Sequence, residues 1–155
     1  MAHTVDRWDM LIAHPPCTYL TSSSAVRLFN RDHTVKDPKR YEKGLAAAEL
    51  FLLFWTADIP RIAVENPTPL SCWGLPPYTQ IIDPYLFGDP WRKRTCLWLK
   101  NLPPLKPTNI VTPEGLWVGS SSKRDSAYRL RSKRDPKERS KTFPGIAEAI
   151  GEQWG

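Results

Sequence analysis

The sequence predicts a single α/β domain, spanning residues 1–155, with a mostly parallel sheet of four or five strands and two main helices. Three observations carry this. Two short apolar runs, Asp9 to Ala13 and Arg61 to Val64, have the look of buried strands. Between them Tyr41 to Thr56 (YEKGLAAAELFLLFWT) reads as a helix. A strand–helix–strand order normally means parallel neighbours joined by a right-handed crossover. The chain has 155 residues, enough for one domain with a proper core.

Each element follows from its local residues. The first strand covers residues 9–14, and Pro15-Pro16 must end it, because proline cannot continue a ladder. Thr18 to Ser24 (TYLTSSS) is a hydroxyl-rich loop, and Asn30 to Arg40 is a polar, turn-rich connection. In the central helix Leu45, Glu49, Leu52 and Trp55 fall near helical spacing, and Asp58-Ile59-Pro60 closes it. The second strand, Arg61 to Val64, runs into Glu65-Asn66-Pro67 and a proline-rich stretch. Gln80 to Ile82 and Thr95 to Leu99 read as two further strands joined by PYLFGDPWRKR, and a short Asn109-Ile110-Val111 follows. A closing amphipathic helix runs from about Phe143 to Trp154, with Ile146, Ala149, Ile150 and Trp154 on one face.

Composition narrows the class. Sixteen prolines and seven tryptophans are both high for this length; interleaved with aliphatic residues they argue for rigid, irregular connections rather than disorder. Three cysteines without a CxxC pattern suggest free thiols in a reducing cytosol, with neither a disulfide framework nor a metal site. No signal pattern opens the chain, and no apolar stretch is long enough to span a bilayer. The net charge of +6 is uneven: Lys and Arg far outnumber Asp and Glu over residues 123–141 (KRDSAYRLRSKRDPKERSK). Such a block favours polyanions, nucleic acid first, through Lys123, Arg124, Arg129, Arg131, Lys133 and Arg134. The alternative is a solvated loop.

The candidate chemistry sits at strand ends. Cys17 closes the tetrad His14-Pro15-Pro16-Cys17 after the first strand, and Glu65-Asn66 closes the second. Open α/β sheets place their ligands at carboxyl strand ends, so a thiol nucleophile and a carboxyl acid would meet there. The plain alternatives are a small buried hydrophobe for Cys17, a turn or capping carboxylate for Glu65, and sheet-edge positions for Arg92 and Arg94. Cys72 and Cys96 read as structural, while His14 would orient a substrate or cap the strand.

These residues, together with Gly88-Asp89-Pro90-Trp91-Arg92-Lys93-Arg94, resemble in order the Pro-Cys loop, Glu-Asn motif and Arg-x-Arg motif of the DNA cytosine-5 methyltransferases of phages and bacteria. The terminal run SKTFPGIAEAIGEQW is similar to the closing helix of phage members, so the resemblance covers nearly the whole chain. It implies a partial Rossmann-like methyltransferase fold and a cytosine flipped from DNA. Cys17 would add to carbon 6, because carbon 5 is a poor nucleophile until the ring becomes enamine-like. Glu65 would assist at ring nitrogen 3, and Asn66 would shape the turn. His14, Pro15 and Pro16 would line the base site, and Arg92 and Arg94 would hold the base carbonyl or nearby phosphates.

The chain departs from the family at two points. The strand, glycine turn and helix that bind S-adenosylmethionine have no counterpart before Asp9, and Pro90 stands where the family has Gln ahead of Arg-x-Arg. The region before the last helix is also short for a target-recognition domain. Three functions stay open on these grounds. One is a cytosolic methyltransferase whose donor site is completed by a second polypeptide or a second copy. Another is a nucleic-acid- or nucleotide-binding protein that transfers nothing and acts against host defence. The third is a pyrimidine-modifying enzyme independent of S-adenosylmethionine. An amino-methyltransferase is set aside because His and Cys flank the Pro-Pro pair, and a zinc deaminase because Pro-Cys-x-x-Cys is lacking.

Overall fold

The computed structural model describes residues 7–113, 116–117 and 141–155. The basic stretch from Lys123 to Arg134 lies outside them. The chain divides into two compact units: residues 1–81 with 95–102, and residues 82–94 with 103–155.

The first unit is the α/β part. Strand β1 (Met10–Ala13) leads through a short helix α1 (Ala25–Leu28) to the long helix α2 (Pro38–Trp55), then to β2 (Arg61–Asn66). β1 and β2 pair in parallel, from Met10 opposite Arg61 to Ala13 opposite Val64, as the strand–helix–strand order predicts. Asp37 caps α2, its carboxylate accepting the Arg40 N–H at 3.0 Å, and Pro38 occupies the first turn, where a missing N–H does no harm.

The sheet is not mostly parallel. Its order is β1, β2, β5, β3, with β3 at Gln80–Ile82 and β5 at Thr95–Lys100. β5 lies antiparallel to β2, from Ile62 opposite Lys100 to Asn66 opposite Cys96. The reason is the connection: parallel neighbours need a crossover, usually helical, and no α-helix lies between β2 and β5. β2 is also longer than expected, so Glu65 and Asn66 belong to the strand itself.

Ala13, Leu28, Phe51, Ile62, Val64, Trp73, Cys96 and Trp98 form the core of this unit. Phe51 meets Trp98 edge-on, with ring centroids 4.8 Å apart. The buried face of α2 is Gly44, Ala48 and Phe51; of the helically spaced Leu45, Glu49, Leu52 and Trp55, Leu52 and Trp55 pack partly buried against the core, while Leu45 is 44 % exposed. The small residues are what the fold needs there, because a Cβ on Gly44 would run into the Trp73 indole.

The second unit carries β4 (Trp91–Arg92), paired in parallel with β6 (Leu116–Trp117), and the closing helix α3 (Pro144–Trp154). Ile146, Ala149 and Trp154 are buried as the pattern requires, and the Trp154 indole N–H donates to the Pro103 carbonyl at 2.9 Å. Helix α3 comes close to the chain at Phe87: the Gly145 N–H donates to the Asp89 carboxylate, and a Cβ on Gly145 would meet the Phe87 carbonyl. No described helix is long and apolar enough to cross a membrane.

Candidate functional site

The site is built where the two parallel strands end. One residue beyond the last paired positions, His14 follows β1 and Glu65 continues β2. Their side chains meet, with His14 Nδ1 3.0 Å from Glu65 Oε2. Both remain partly open to solvent, at 42 % and 22 % side-chain exposure, so the pair is accessible to a ligand. One step further, the Asn66 amide Nδ2 donates to the Pro15 carbonyl at 3.0 Å, and Asn66 is only 1 % exposed.

The loops beyond these residues are joined as well. Ser22 N–H donates to the Thr68 carbonyl at 2.9 Å, and Leu70 N–H to the Leu20 carbonyl at 2.8 Å. Thr21 and Pro69 form an antiparallel bridge, and the Trp73 indole N–H adds a bond to the Leu20 carbonyl at 3.1 Å. Between the His14 and Leu20 anchors, the Cys17 carbonyl accepts from Leu20 N–H (3.1 Å) and Thr21 N–H (3.3 Å), closing a turn. Cys17 is half-buried, and none of the three cysteines is in a disulfide.

Of the residues singled out from the sequence, His14, Pro15, Glu65 and Asn66 are therefore in direct contact at one sheet end, with Pro16 and Cys17 on the loop they anchor. Arg92 and Arg94 belong to the second unit. There Arg92 lies over the Tyr85 ring, 5.9 Å from its centroid. The neighbouring Asp83 accepts from the Lys93 N–H at 2.9 Å. Burial pushes the Asp83 carboxyl up, against that hydrogen bond and the charges of Arg92 and Arg94. The two arginines thus have an acid of their own unit nearby.

Sequence reasoning missed Arg40, Lys43 and Tyr19. From the first turns of α2, Arg40 Nη2 donates to the Thr18 carbonyl at 3.2 Å, next to Cys17. Its guanidinium lies 5.0 Å from the Tyr19 ring centroid, and the Lys43 ammonium 5.8 Å from the same centroid. A signal was present: Lys39, Arg40 and Lys43 crowd the start of a helix, where the macrodipole disfavours cations.

The described residues do not fit the methyl donor that the resemblance implies. A donor cradle of that kind needs a glycine turn leaving a strand, whereas β1 leaves through His14-Pro15-Pro16-Cys17, without a glycine. Among the described residues no group of three or more His, Cys, Asp or Glu is placed to hold a metal ion. No protein-family model, curated protein or solved structure matches the chain.

Proposed function

We propose that this chain is a DNA cytosine-5 methyltransferase-like protein in which Cys17 adds to carbon 6 of a flipped cytosine. One observation carries the reading: the Pro-Pro-Cys loop and the Glu-Asn pair, far apart in sequence, are bonded together at adjacent strand ends through His14–Glu65 and Pro15–Asn66. The Cys17 thiolate forms a bond to carbon 6, and ring nitrogen 3 takes up a proton as the ring electrons shift towards carbon 5. Glu65, held by its contact with His14, would hand that proton to the ring nitrogen. Asn66 keeps the loop in register. The methyl donor, S-adenosylmethionine, would have to be brought by a partner polypeptide or second copy.

The addition is testable without any donor. Carbon 5 of the adduct accepts a deuteron from heavy water, loses its original proton, and the thiolate leaves, returning cytosine labelled at carbon 5. Proton NMR of a cytosine-containing oligodeoxynucleotide should show loss of the carbon 5 proton signal with the wild type and none with Cys17→Ser. Glu65→Gln should slow exchange by about 10²–10⁴-fold, the usual worth of a positioned proton donor. Wild-type protein that binds the oligonucleotide but exchanges nothing would overturn the reading. The misfit to the donor favours a second reading, a DNA- or nucleotide-binding protein that transfers nothing, and that same outcome would support it.

A further inference from the structure

We infer that Arg40 and Lys43, both over the Tyr19 ring, form a seat for a nucleotide phosphate beside the Cys17 loop. The substrate of that loop is then a phosphorylated nucleotide, free or within a strand, rather than a base or nucleoside. The inference rests on the reading of Cys17 as a pyrimidine nucleophile.

Three features of the cluster carry it. Both cations lie over the Tyr19 ring, 5.0 and 5.8 Å from its centroid, and neither has a carboxylate partner among the described residues. Arg40 is only partly exposed, and its Nε is buried without an acceptor. A guanidinium N–H buried without an acceptor is unfavourable. Among the described residues, the side-chain hydrogen bond of Arg40 goes to the Thr18 carbonyl, which offers only a dipole. The third feature is location. Thr18 and Tyr19 directly follow Cys17, so an anion held by Arg40 is held close to the proposed nucleophile in the chain.

The charge around the cluster is one-sided. Arg40 and Lys43 stand one turn apart on α2, Lys39 adds a third cation in its first turn, and the positive end of the α2 dipole is at the same end. Opposing them are Glu42, exposed, and the capping carboxylate of Asp37, already engaged by the Arg40 N–H. An arginine fork with a lysine point charge suits a phosphate, the fork setting orientation and the ammonium adding attraction. The Tyr19 ring holds both side chains in place before the ligand arrives.

The test compares ligands that differ only by the phosphate. Isothermal titration of Cys17→Ser protein with deoxycytidine, with deoxycytidine 5′-monophosphate and with a short cytosine-containing single strand keeps reaction out of the measurement. Deoxycytidine monophosphate or the strand should bind at least tenfold more tightly than deoxycytidine. Tighter binding by the strand alone would place the phosphate within a polynucleotide; tighter binding by the monophosphate would show that a free nucleotide suffices. Arg40→Gln with Lys43→Gln should reduce the phosphate preference to about onefold. Lys43→Gln alone, on an exposed side chain that the fold does not need, should remove part of it. An undiminished preference in both variants, or no preference in the parent, would overturn the inference. Failure of the carbon 5 exchange assay with this preference intact would instead remove the nucleophile and leave the phosphate seat standing.

Discussion

The hydrogen bond from Asn66 to Pro15 can be tested by two substitutions whose effects separate cleanly. In the wild type, Nδ2 donates to the Pro15 carbonyl at 3.0 Å, the residue is 1 % exposed, and Oδ1 is buried without a partner among the described residues. Asn66→Ala strands the Pro15 carbonyl, an effect of about 1–3 kcal/mol. It also removes an acceptor that was already unpaired, which returns a comparable amount. What remains is chiefly lost packing, so the net destabilisation should be modest, about 1–2 kcal/mol. Asn66→Asp keeps the shape but replaces the donor by a carboxylate oxygen facing another oxygen. An unpaired buried charge is worse by about 3–5 kcal/mol. For a chain of this size each kcal/mol moves the melting temperature by about 2–4 °C. Circular dichroism melts at neutral pH should therefore place Asn66→Asp well below Asn66→Ala. On acidification the introduced carboxyl, pushed up by burial, becomes neutral and can donate, so the gap should narrow. Equal melting temperatures at neutral pH, or a gap that ignores pH, would refute the idea that this bond joins the two loops.

Two further predictions concern packing and charge. Gly44→Ala should gain about 1 kcal/mol of helix propensity, yet lower stability overall, because the added Cβ collides with the Trp73 indole and disturbs its bond to the Leu20 carbonyl; a raised denaturation midpoint would contradict this. Asp83 has a carboxyl pushed up by burial, so its contribution to stability is fully present below the ordinary carboxylate range and is lost as pH rises through its raised folded value. Asp83→Asn, which still accepts from Lys93 N–H, should therefore gain on the wild type as pH rises through that window; a constant difference in urea midpoint across it would count against the assignment.

The sequence was most informative where local rules act alone. β1, β2 and the parallel crossover follow from apolar runs bracketed by proline and a long helical stretch, and both appear where expected. The sheet order was harder to read, because strand direction depends on what lies between strands. The prolines from Pro67 to Pro77 leave no room for a crossover helix, and that feature alone pointed to an antiparallel β5. The most buried face of α2 was not legible either. Hydrophobicity favours Leu45, but the Trp73 indole needs close approach to the helix, and Gly44 offers it. Arg40 and Lys43 escaped notice because cations on a helix normally read as a solvated surface, and their meeting with Tyr19 depends on tertiary structure.

The tetrad itself explains why the Asn of the second motif is required. Pro15 and Pro16 have no N–H, so β1 cannot extend its pairing past Ala13, yet Pro15 is buried and its carbonyl must find a donor. β2 runs on beside it, and Asn66 supplies that donor from a side chain. The backbone of the Cys17 loop is then satisfied on one side by Asn66 and on the other by the turn that the Leu20 and Thr21 amides close on the Cys17 carbonyl. With the main chain fixed in this way, His14 and Glu65 can stay partly exposed without loosening the fold. Their partial exposure, 42 % and 22 %, spares the pair the desolvation cost of full burial and leaves both side chains open to a ligand.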